Sequence, residues 1–491
     1  MTPKYESITL KKDKAIISDK IKAECKTDLI SEETERIIYI NSQIYNVQNE
    51  ITDGRIKFFG KIVFYFVYED KEHNIRKKEC ANEFSGVLSC DVKTDDKIKL
   101  VCEPYKTDVD VSGAFIIFSE EIVVSASIYC EEKENYLTGG EELISKTSEI
   151  EVSKSFGKGN VNYTLTEETE VDYKIKDVLS QKYKVVLTSC QCGVETVIVD
   201  GNVFATLLLL QNEEKSVIIK EQRIIPFRIE IPCGEAMPTM TASAEVYLKS
   251  FKLDVAVSEE DNKSTITFNV GLYLEGECFS KTTLQVIEDA FSTTNQLEIT
   301  KNSSKIQLPV EIKETENKAV IKAGIKETDK TFVDIIDSKV QIIAKAGVNT
   351  EGTAVLVCDC LFSDNDGRYY TEREEGSFTL PVLEKDCKTE YYTKNCKAKV
   401  NAGVELEVEF DSVCVSYISE VQEIDYIVNI TDNGEKATNG ASISIYCAET
   451  GEDLWTLSKR LNVCPEELLS SNKDLQFPLI EDERIIVYRQ K

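Results

Sequence analysis

Apolar residues alternate with polar ones along several stretches of the chain, which is the pattern of β-strands that bury one face. The clearest apolar series are Ile56, Phe58, Ile62, Phe64 and Phe66 in one stretch, and Ala354, Leu356, Cys358, Cys360 and Phe362 in another. Shorter strand-like segments lie near 98–103, 108–118, 121–129, 251–257 and 264–275. Helical spacing is sparse, with short candidates near 282–291 and in the last fifty or so residues. The pattern predicts a mainly β protein.

Two landmarks recur along the chain about every 150 residues, a period that indicates repeated domains. The first is a glycine that precedes an apolar strand, and the second is a phenylalanine further along; they are Gly54, Gly201 and Gly352, and Phe84, Phe227 and Phe378. A cysteine follows each phenylalanine, at Cys90, Cys233 and Cys387. We interpret Asp53-Gly54 and Asp200-Gly201 as tight hairpin turns, because glycine adopts the positive φ such turns require. Each copy is expected to be a small β-sandwich or open barrel.

The copies and the polar stretches between them divide the chain into four predicted domains. The bounds are 1–140, 141–295 and 296–435 for three β-rich repeats, and 441–491 for a different C-terminal module. Polar composition at 131–160, 293–304 and 431–440 suggests the linkers.

Charge and histidine content exclude several classes of function. The 491-residue chain has 58 Lys and Arg against 87 Asp and Glu, a net charge of -29, which disfavours a nucleic-acid partner. It has one histidine, His73, in a polar run that is typical of a solvated turn. Because no nucleophile–base pair, phosphate-binding loop or metal-ligand spacing is evident, we expect a protein that is not an enzyme and needs no cofactor or metal.

The sixteen cysteines have to be interpreted together with the cellular compartment. The N-terminus lacks the apolar core of a signal peptide, and no apolar run is long enough to cross a membrane. We therefore expect a cytoplasmic protein without membrane insertion, whose thiols are mostly free. The close pairs Cys190 and Cys192, and Cys358 and Cys360, are interpreted as core or edge thiols; metal binding or covalent cross-linking is the alternative.

The last fifty or so residues have a strand–helix–helix–strand pattern. Alternation at 442–446 predicts a strand, and Leu454, Leu457 and Leu461 have the spacing of one helix face. Pro465 is suited to the first turn of a second helix, and 484–488 is again strand-like.

This module resembles a LysM domain. The resemblance lies in the block Gly451 to Ser458, in Val463, in Pro465 to Leu469, in Asn472, and in Pro478-Leu479 with Ile486. A departure is Glu481-Asp482-Glu483, which replaces the family's glycine-containing turn. In that family the groove between the strand–helix loop and the helix–strand loop binds N-acetylglucosamine chains. The resemblance and the module's apolar positions give these partner- or glycan-binding candidates: Ile443, Gly451, Asp453, Leu454, Trp455, Asn472, Leu475, Pro478, Leu479 and Ile480.

The whole chain resembles the SipL family of anaerobic endospore formers, which combines SPOCS repeats with a terminal LysM domain. The resemblance rests on the repeat units, on the lead-in Glu288 to Ser292 before the third copy, and on the module. It implies a mother-cell protein at the forespore surface that helps assemble the spore coat and whose LysM domain binds a morphogenetic ATPase. We therefore expect a structural adaptor that contacts this ATPase and other coat proteins. The alternative is a peptidoglycan-binding protein of the wall or cortex.

Trp455 is the only tryptophan and lies one residue off the leucine face of the first predicted helix. This position predicts a side chain on the flank of the module and only partly buried. Two interpretations are open: Trp455 anchors a partner protein, or it closes the small core of the module.

Overall fold

A computed structural model describes residues 2–28, 34–112, 115–212, 217–258, 260–324, 330–344, 352–380, 388–401, 405–436 and 443–488. Strands make up 81% and helices 4% of the structure, so the predicted mainly β class is confirmed. Cys387 and residues 441 and 442 lie outside the described residues.

The strands fall into three successive groups of six. The first unit is formed by β1 (Pro3–Asp28), β2 (Thr34–Thr52), β3 (Arg55–Asp70), β4 (Ile75–Ser89), β5 (Lys97–Ser112) and β6 (Phe115–Gly140). The second unit is formed by β7 (Ile144–Val171), β8 (Ile175–Cys192), β9 (Thr196–Gln211), β10 (Val217–Pro232), β11 (Thr241–Val257) and β12 (Ser264–Phe291). The third unit is formed by β13 (Asn295–Gly324), β14 (Lys330–Ala344), β15 (Gly352–Asp364), β16 (Tyr369–Leu380), β17 (Lys388–Asn401) and β18 (Glu405–Glu435). The C-terminal module follows as β19 (Ile443–Ala448), α1 (Leu454–Leu461), α2 (Pro465–Ser471) and β20 (Glu483–Tyr488).

Each unit contains two three-stranded antiparallel sheets with the same strand order. The long sheet has the orders β1-β6-β5, β7-β12-β11 and β13-β18-β17, and the short sheet has the orders β2-β3-β4, β8-β9-β10 and β14-β15-β16. The two sheets of a unit enclose one hydrophobic core, as in a small β-sandwich. The alternating residues of the two predicted series are all at most 2% exposed and belong to these cores.

The phenylalanine landmark is confirmed as a core position in all three units. Phe84, Phe227 and Phe378 are buried on β4, β10 and β16, and they lie across from Gly60, Gly201 and Ala354 on the neighbouring strand. A Cβ atom on Gly60 or Gly201 would lie 2.6 or 2.4 Å from the phenylalanine ring. A small residue is therefore required beneath each ring.

The glycine landmark is wrong. Gly54 lies in the turn before β3 with φ of 77°, whereas Gly201 lies within β9 and Gly352 begins β15. The residue that takes the place of Gly54 in the second unit is Glu195, which also has positive φ. Its N–H bonds to the carbonyl of Ala236, as that of Gly54 bonds to the carbonyl of Val92. Gly54 and Gly201 are not equivalent positions, because Gly201 makes room for the ring of Phe227 and does not form a turn.

The edges of the two sheets approach closely at one seam in each unit. In the first unit Cys25 on β1 and Cys80 on β4 form a disulfide there. In the second, a Cβ on Gly159 would lie 1.8 Å from the carbonyl oxygen of Pro232; in the third, a Cβ on Gly376 would lie 2.6 Å from Cβ of Ile321. The seams therefore depend on covalent linkage or on the absence of a side chain.

Two predictions about local structure are wrong. The segment 282–291, a candidate helix that includes the lead-in Glu288 to Ser292, is the end of β12. The polar stretches 131–160 and 293–304 are mostly strand, because β6, β7 and β13 run through them as exposed two-stranded ribbons with polar outer faces. The polar composition reflects solvent exposure rather than a loop. Short turns at 141–143 and 292–294 connect the units.

The three short sheets meet at a common apolar junction. The pairing register shifts three times in each of β2, β8 and β14, and the first two shifts have the same spacing in all three strands. The second shift skips Ile38, Leu179 and Ile336 respectively. These three residues are buried together with Val67, Leu208 and Leu361. The bulges thus direct an apolar side chain from each unit into one shared cluster.

The long strands meet at a second junction, which we call the tip junction. Its buried residues come from all three units: Tyr136, Leu137, Ile150, Val152, Val286, Ile287, Ala290, Ile424, Tyr426, Ile427 and Ile430. Together the two junctions join the three units into one body. Within the described ranges, neither helix has the length and apolar character of a membrane span.

Candidate functional site

The C-terminal module packs two short helices against a two-stranded antiparallel sheet. Its core consists of Ala448, Leu457, Leu461, Val463, Leu468, Leu479, Ile485 and Val487. Asp453 caps α1, since its carboxylate accepts hydrogen bonds from the N–H and hydroxyl of Thr456 at 2.9 and 2.7 Å. These bonds lower the pKa of Asp453. Asn462 ends the helix in the left-handed conformation.

Two loops that flank the predicted groove are bonded directly to each other. The N–H of Gly451 donates to the carbonyl of Leu479 at 2.7 Å, and the N–H of Leu479 donates to the carbonyl of Glu452. The carboxylate of Asp482 accepts from the N–H and the hydroxyl of Thr450, both at 2.9 Å. The side chain of Asp482, on the loop before β20, therefore ties that loop to the one between β19 and α1.

Several predicted binding residues have structural roles instead. Leu479 is 3% exposed and belongs to the core, while Leu454 and Leu475 are half-buried against it. The side chain of Asn472 is buried and bonds to both the N–H and the carbonyl of Ile486 at 2.8 Å, which ties the end of α2 to β20. These residues build the site but offer little surface to a ligand.

The open face of the two-stranded sheet is apolar and exposed. Ile443 pairs with Tyr488 and Ile445 pairs with Ile486, so all four side chains lie on the face away from the helices. Ile443 is 60% exposed and Ile445 is 66% exposed. We call these four residues the open face. Of them, the sequence identified only Ile443, although the alternation of Ile443 and Ile445 with the inward Ser444 and Tyr446 carries the signal.

A second exposed apolar position lies on the loop before β20. Ile480 is 78% exposed, and its neighbour Pro478 is also exposed. Both were predicted as binding residues, and the structure leaves both accessible next to the loop pair that holds Asp482.

Trp455 is partly buried, as predicted, but it contacts the body of its own chain. Its indole N–H donates to the carboxylate of Asp289 at 2.9 Å, and its ring meets Phe291 edge-on with 5.3 Å between centroids. Lys459, one turn further along α1, forms an ion pair with the same carboxylate at 2.7 Å. The structure therefore does not bring Trp455 together with Ile443 in one accessible surface.

Further polar contacts hold the module at the tip junction. The amide of Asn462 donates to the carbonyl of Thr293 at 2.8 Å, and Lys436 donates to the carbonyl of Ser292 at 2.7 Å and to the side chain of Asn462. Burial acts to raise the pKa of Asp289, but hydrogen bonds from Lys459 and Trp455 outweigh it and lower that pKa. Nothing in the sequence links Asp289 to a helix more than 160 residues away, so these contacts were missed.

A polar cleft of about 80 Å³ lies where the three units meet. Lys182 forms an ion pair with Asp337, and Arg373 forms one with Asp359 at 3.0 Å. Lys339 donates to a backbone carbonyl in the first unit at 2.6 Å. Burial lowers the pKa of Lys339 and raises that of Asp359. The cleft thus joins units through opposed charges, and its contacts account for most of the charged groups that line it.

The histidine and the cysteines that the sequence analysis considered lie in ordinary structural environments. His73 lies in the turn between β3 and β4 with its Nδ1 2.6 Å from Glu69, as expected of a turn residue. Cys358 and Cys360 are both fully buried, which agrees with their interpretation as core thiols. Most described cysteines are free, with the Cys25–Cys80 disulfide as the exception within the described ranges.

Comparison with known proteins does not assign a family. The chain matches no model of a known protein family and no curated protein.

Proposed function

We propose that the protein is a non-enzymatic structural adaptor in endospore coat assembly, located in the mother-cell cytoplasm at the forespore surface. In this proposal the three units are copies of one SPOCS-type repeat, and the module is of the LysM type. The shared strand orders support the first point, as does the equal spacing of the first two bulges in β2, β8 and β14. The element order strand–helix–helix–strand supports the second.

The observation that carries the proposal is the open face of the module. Ile443, Ile445, Ile486 and Tyr488 form adjacent cross-strand pairs, and three of them are more than half exposed. Clustered apolar side chains on a small sheet are typical of surfaces that bind another protein. By resemblance, the partner is the morphogenetic ATPase of the forespore surface, and the body offers surfaces for other coat proteins.

The position of Trp455 divides the module into two sides. One side of α1 packs against Asp289 and Phe291 of the body through Trp455. The open face lies on the sheet. Three of its four side chains are more than half exposed, so the described part of the body does not cover them. We therefore propose that the partner binds the open face while Trp455 keeps the module attached to the body.

Binding of full-length variants to the purified ATPase tests this proposal. Ile445→Asp places a charge in the centre of the open face, and we expect it to weaken binding at least about tenfold, as for a central interface residue. Ile224→Asp is the matched control, because Ile224 is 52% exposed on β10 of the body. Equal binding by both variants would contradict the proposal. A fluorescent fusion should form a ring around the forespore.

The alternative function, peptidoglycan binding, is favoured by the exposed Pro478 and Ile480 beside the loop pair. Saturable retention on purified peptidoglycan that is lost in Ile480→Asp and kept in Ile445→Asp would support this alternative and overturn the adaptor proposal. The carboxylate of Asp482 between the loops makes an uncharged glycan the poorer match.

A further inference from the structure

Two buried thiols face each other across the core of the second unit. Cys233 follows β10 of the short sheet, and Cys278 lies on β12 of the long sheet. Their sulfur atoms are 3.5 Å apart, and the two residues are 1% and 0% exposed. A disulfide bond has an S–S length of about 2.05 Å, so the sulfurs need to approach by roughly 1.5 Å to become bonded.

The surrounding backbone makes room for both sulfur atoms. A Cβ atom on Gly157 would lie 2.9 Å from Sγ of Cys233 and 3.4 Å from Sγ of Cys278. Gly157 is the β7 residue that pairs with Cys278, and the pairing register shifts between Cys278 and Phe279. The missing side chain and the bulge together leave the space in which the two sulfurs meet.

The first unit already has a disulfide between its two sheets. Cys25 on β1 of the long sheet is bonded to Cys80 on β4 of the short sheet. This type of unit therefore accommodates a covalent link between its layers. Cys233 and Cys278 lie at other positions of the unit than Cys25 and Cys80 do. The pair in the second unit is therefore a separate site from the disulfide of the first unit.

We propose that Cys233 and Cys278 are a second disulfide site, which closes when the protein meets a small-molecule disulfide such as oxidised glutathione. The thiolate of one cysteine attacks oxidised glutathione, forming a mixed disulfide and releasing one glutathione thiolate. The thiolate of the other cysteine then displaces the second glutathione and forms the Cys233–Cys278 bond. In total, two protein thiols lose two protons and two electrons, and one oxidised glutathione becomes two glutathione molecules.

The reaction requires brief local opening, because both thiols are buried. Burial and the contact with Cys233 raise the pKa of Cys278, which keeps its thiolate fraction small at neutral pH. The site is therefore expected to stay reduced in a reducing cytoplasm and to oxidise slowly. Closure links residues 45 apart in sequence, which restricts the unfolded chain and stabilises the folded unit.

Peptide mapping of the full-length protein tests the proposal. The protein is incubated with oxidised glutathione for several hours, unfolded with iodoacetamide to block free thiols, and digested for mass spectrometry. We expect a Cys233–Cys278-linked peptide that is absent before oxidation and is removed by a reductant. The Cys25–Cys80 peptide serves as the internal standard for the method.

Cys192 provides the matched control, because it is a third thiol buried in the same core. Its charge contributes to the raised pKa of Cys278, and the charge of Cys233 contributes to the raised pKa of Cys192. Cys192→Ser should keep the linked peptide, and Cys278→Ser should lose it. Alkylated or singly glutathionylated Cys233 and Cys278 in the oxidised wild-type protein would overturn the proposal. Linkage of either cysteine to Cys192 would also overturn it. If a variant does not fold, the peptide map of the oxidised wild-type protein still tests the proposal by itself.

Discussion

At the scale of single residues, Glu120 places a carboxyl group in the polar cleft where the three units meet. The residue is 1% exposed, and its Oε2 accepts hydrogen bonds from Ser42 and Thr107. Among the described residues, its Oε1 has no hydrogen-bond partner. Burial raises the pKa of Glu120, and these hydrogen bonds oppose the shift without cancelling it. The ionised carboxylate therefore costs stability at this site.

This setting predicts how stability changes with pH. Because the pKa of Glu120 is higher in the folded state than the ordinary 4.5, its carboxyl group destabilises the protein progressively as pH rises from 4.5 through the raised pKa. Glu120→Gln removes the charge, so we expect it to raise the unfolding free energy by about 1 kcal/mol at pH 7 and much less near pH 4.5. Thermal unfolding at both pH values measures the difference. The neighbouring Glu121→Gln is the control, because it makes the same substitution at a partly exposed carboxylate that pairs with Lys20.

Phe227 gives a second prediction at this scale. Its ring lies over Gly201 in the core of the second unit, and the residue is 6% exposed. Phe227→Ala removes the ring without filling the space above the glycine, which is expected to lower the unfolding free energy by about 3–5 kcal/mol. Chemical denaturation checks this value. Ile224→Ala on the same strand is the exposed control, and equal losses in both would contradict the core assignment.

At the scale of elements, the sequence predicted which strand faces are buried but not how long the strands are. Alternation at Phe58, Phe64 and Cys358 correctly marked core faces, because a strand buried on one face must alternate. The ribbons at the ends of β6, β7 and β13 have a weaker signal, since much of their surface faces water and selects polar residues. The amino-acid composition of these ribbons is therefore similar to that of linkers.

The false helix at 282–291 has a specific cause. The strand β12 contributes Leu284 and Val286 to one buried cluster and Ile287 and Ala290 to another. The pairing register shifts between Ile287 and Asp289, so one residue is bulged out and the buried face changes. An alternation interrupted in this way has apolar spacings of three and four residues, which are also typical of a helix.

The seam of the second unit gives a prediction at the element scale. A Cβ on Gly159 of β7 would overlap the carbonyl oxygen of Pro232 at the end of β10, at 1.8 Å. Since the obstacle is backbone and cannot rotate away, Gly159→Ala should separate the two strands and cost about 1–3 kcal/mol of stability. Gly139→Ala on β6 is the control, because a Cβ there would lie more than 4 Å from every neighbour in the described part of the chain. Thermal unfolding of the two variants distinguishes local crowding from a general effect of replacing glycine.

At the scale of the whole molecule, contacts between distant segments determine what the candidate site exposes. The sequence identified the module, its helices and the partial burial of Trp455, because these depend on local spacing. It could not show that Trp455 faces Asp289, because the contact depends on where the tip junction brings β12. Consequently a residue expected on a partner surface contacts the body of its own chain, whereas the open face stays exposed.

Attachment of the module to the body can be followed through Trp455 itself, because it is the only tryptophan in the chain. Asp289→Ala removes the acceptor of the indole N–H and the ion-pair partner of Lys459. We expect attachment to weaken by about 1–2 kcal/mol, with a shift of tryptophan emission to longer wavelength and faster hydrogen exchange in α1. The adjacent Glu288→Ala is the control, since Glu288 pairs only loosely with Lys146, at 3.4 Å.

The same contact has a defined pH dependence. The pKa of Asp289 lies below its ordinary value of 3.8 in the attached state, so its contribution is fully present above about pH 4 and is lost as pH falls through the lowered pKa. Wild-type emission should therefore stay constant from pH 7 to pH 4 and change only in more acidic solution. Emission of Asp289→Ala should already be shifted at pH 7 and should not respond further in that acidic range until the protein unfolds. Identical emission of wild type and Asp289→Ala at pH 7 would show that Phe291 and the Asn462 contacts suffice to hold the module.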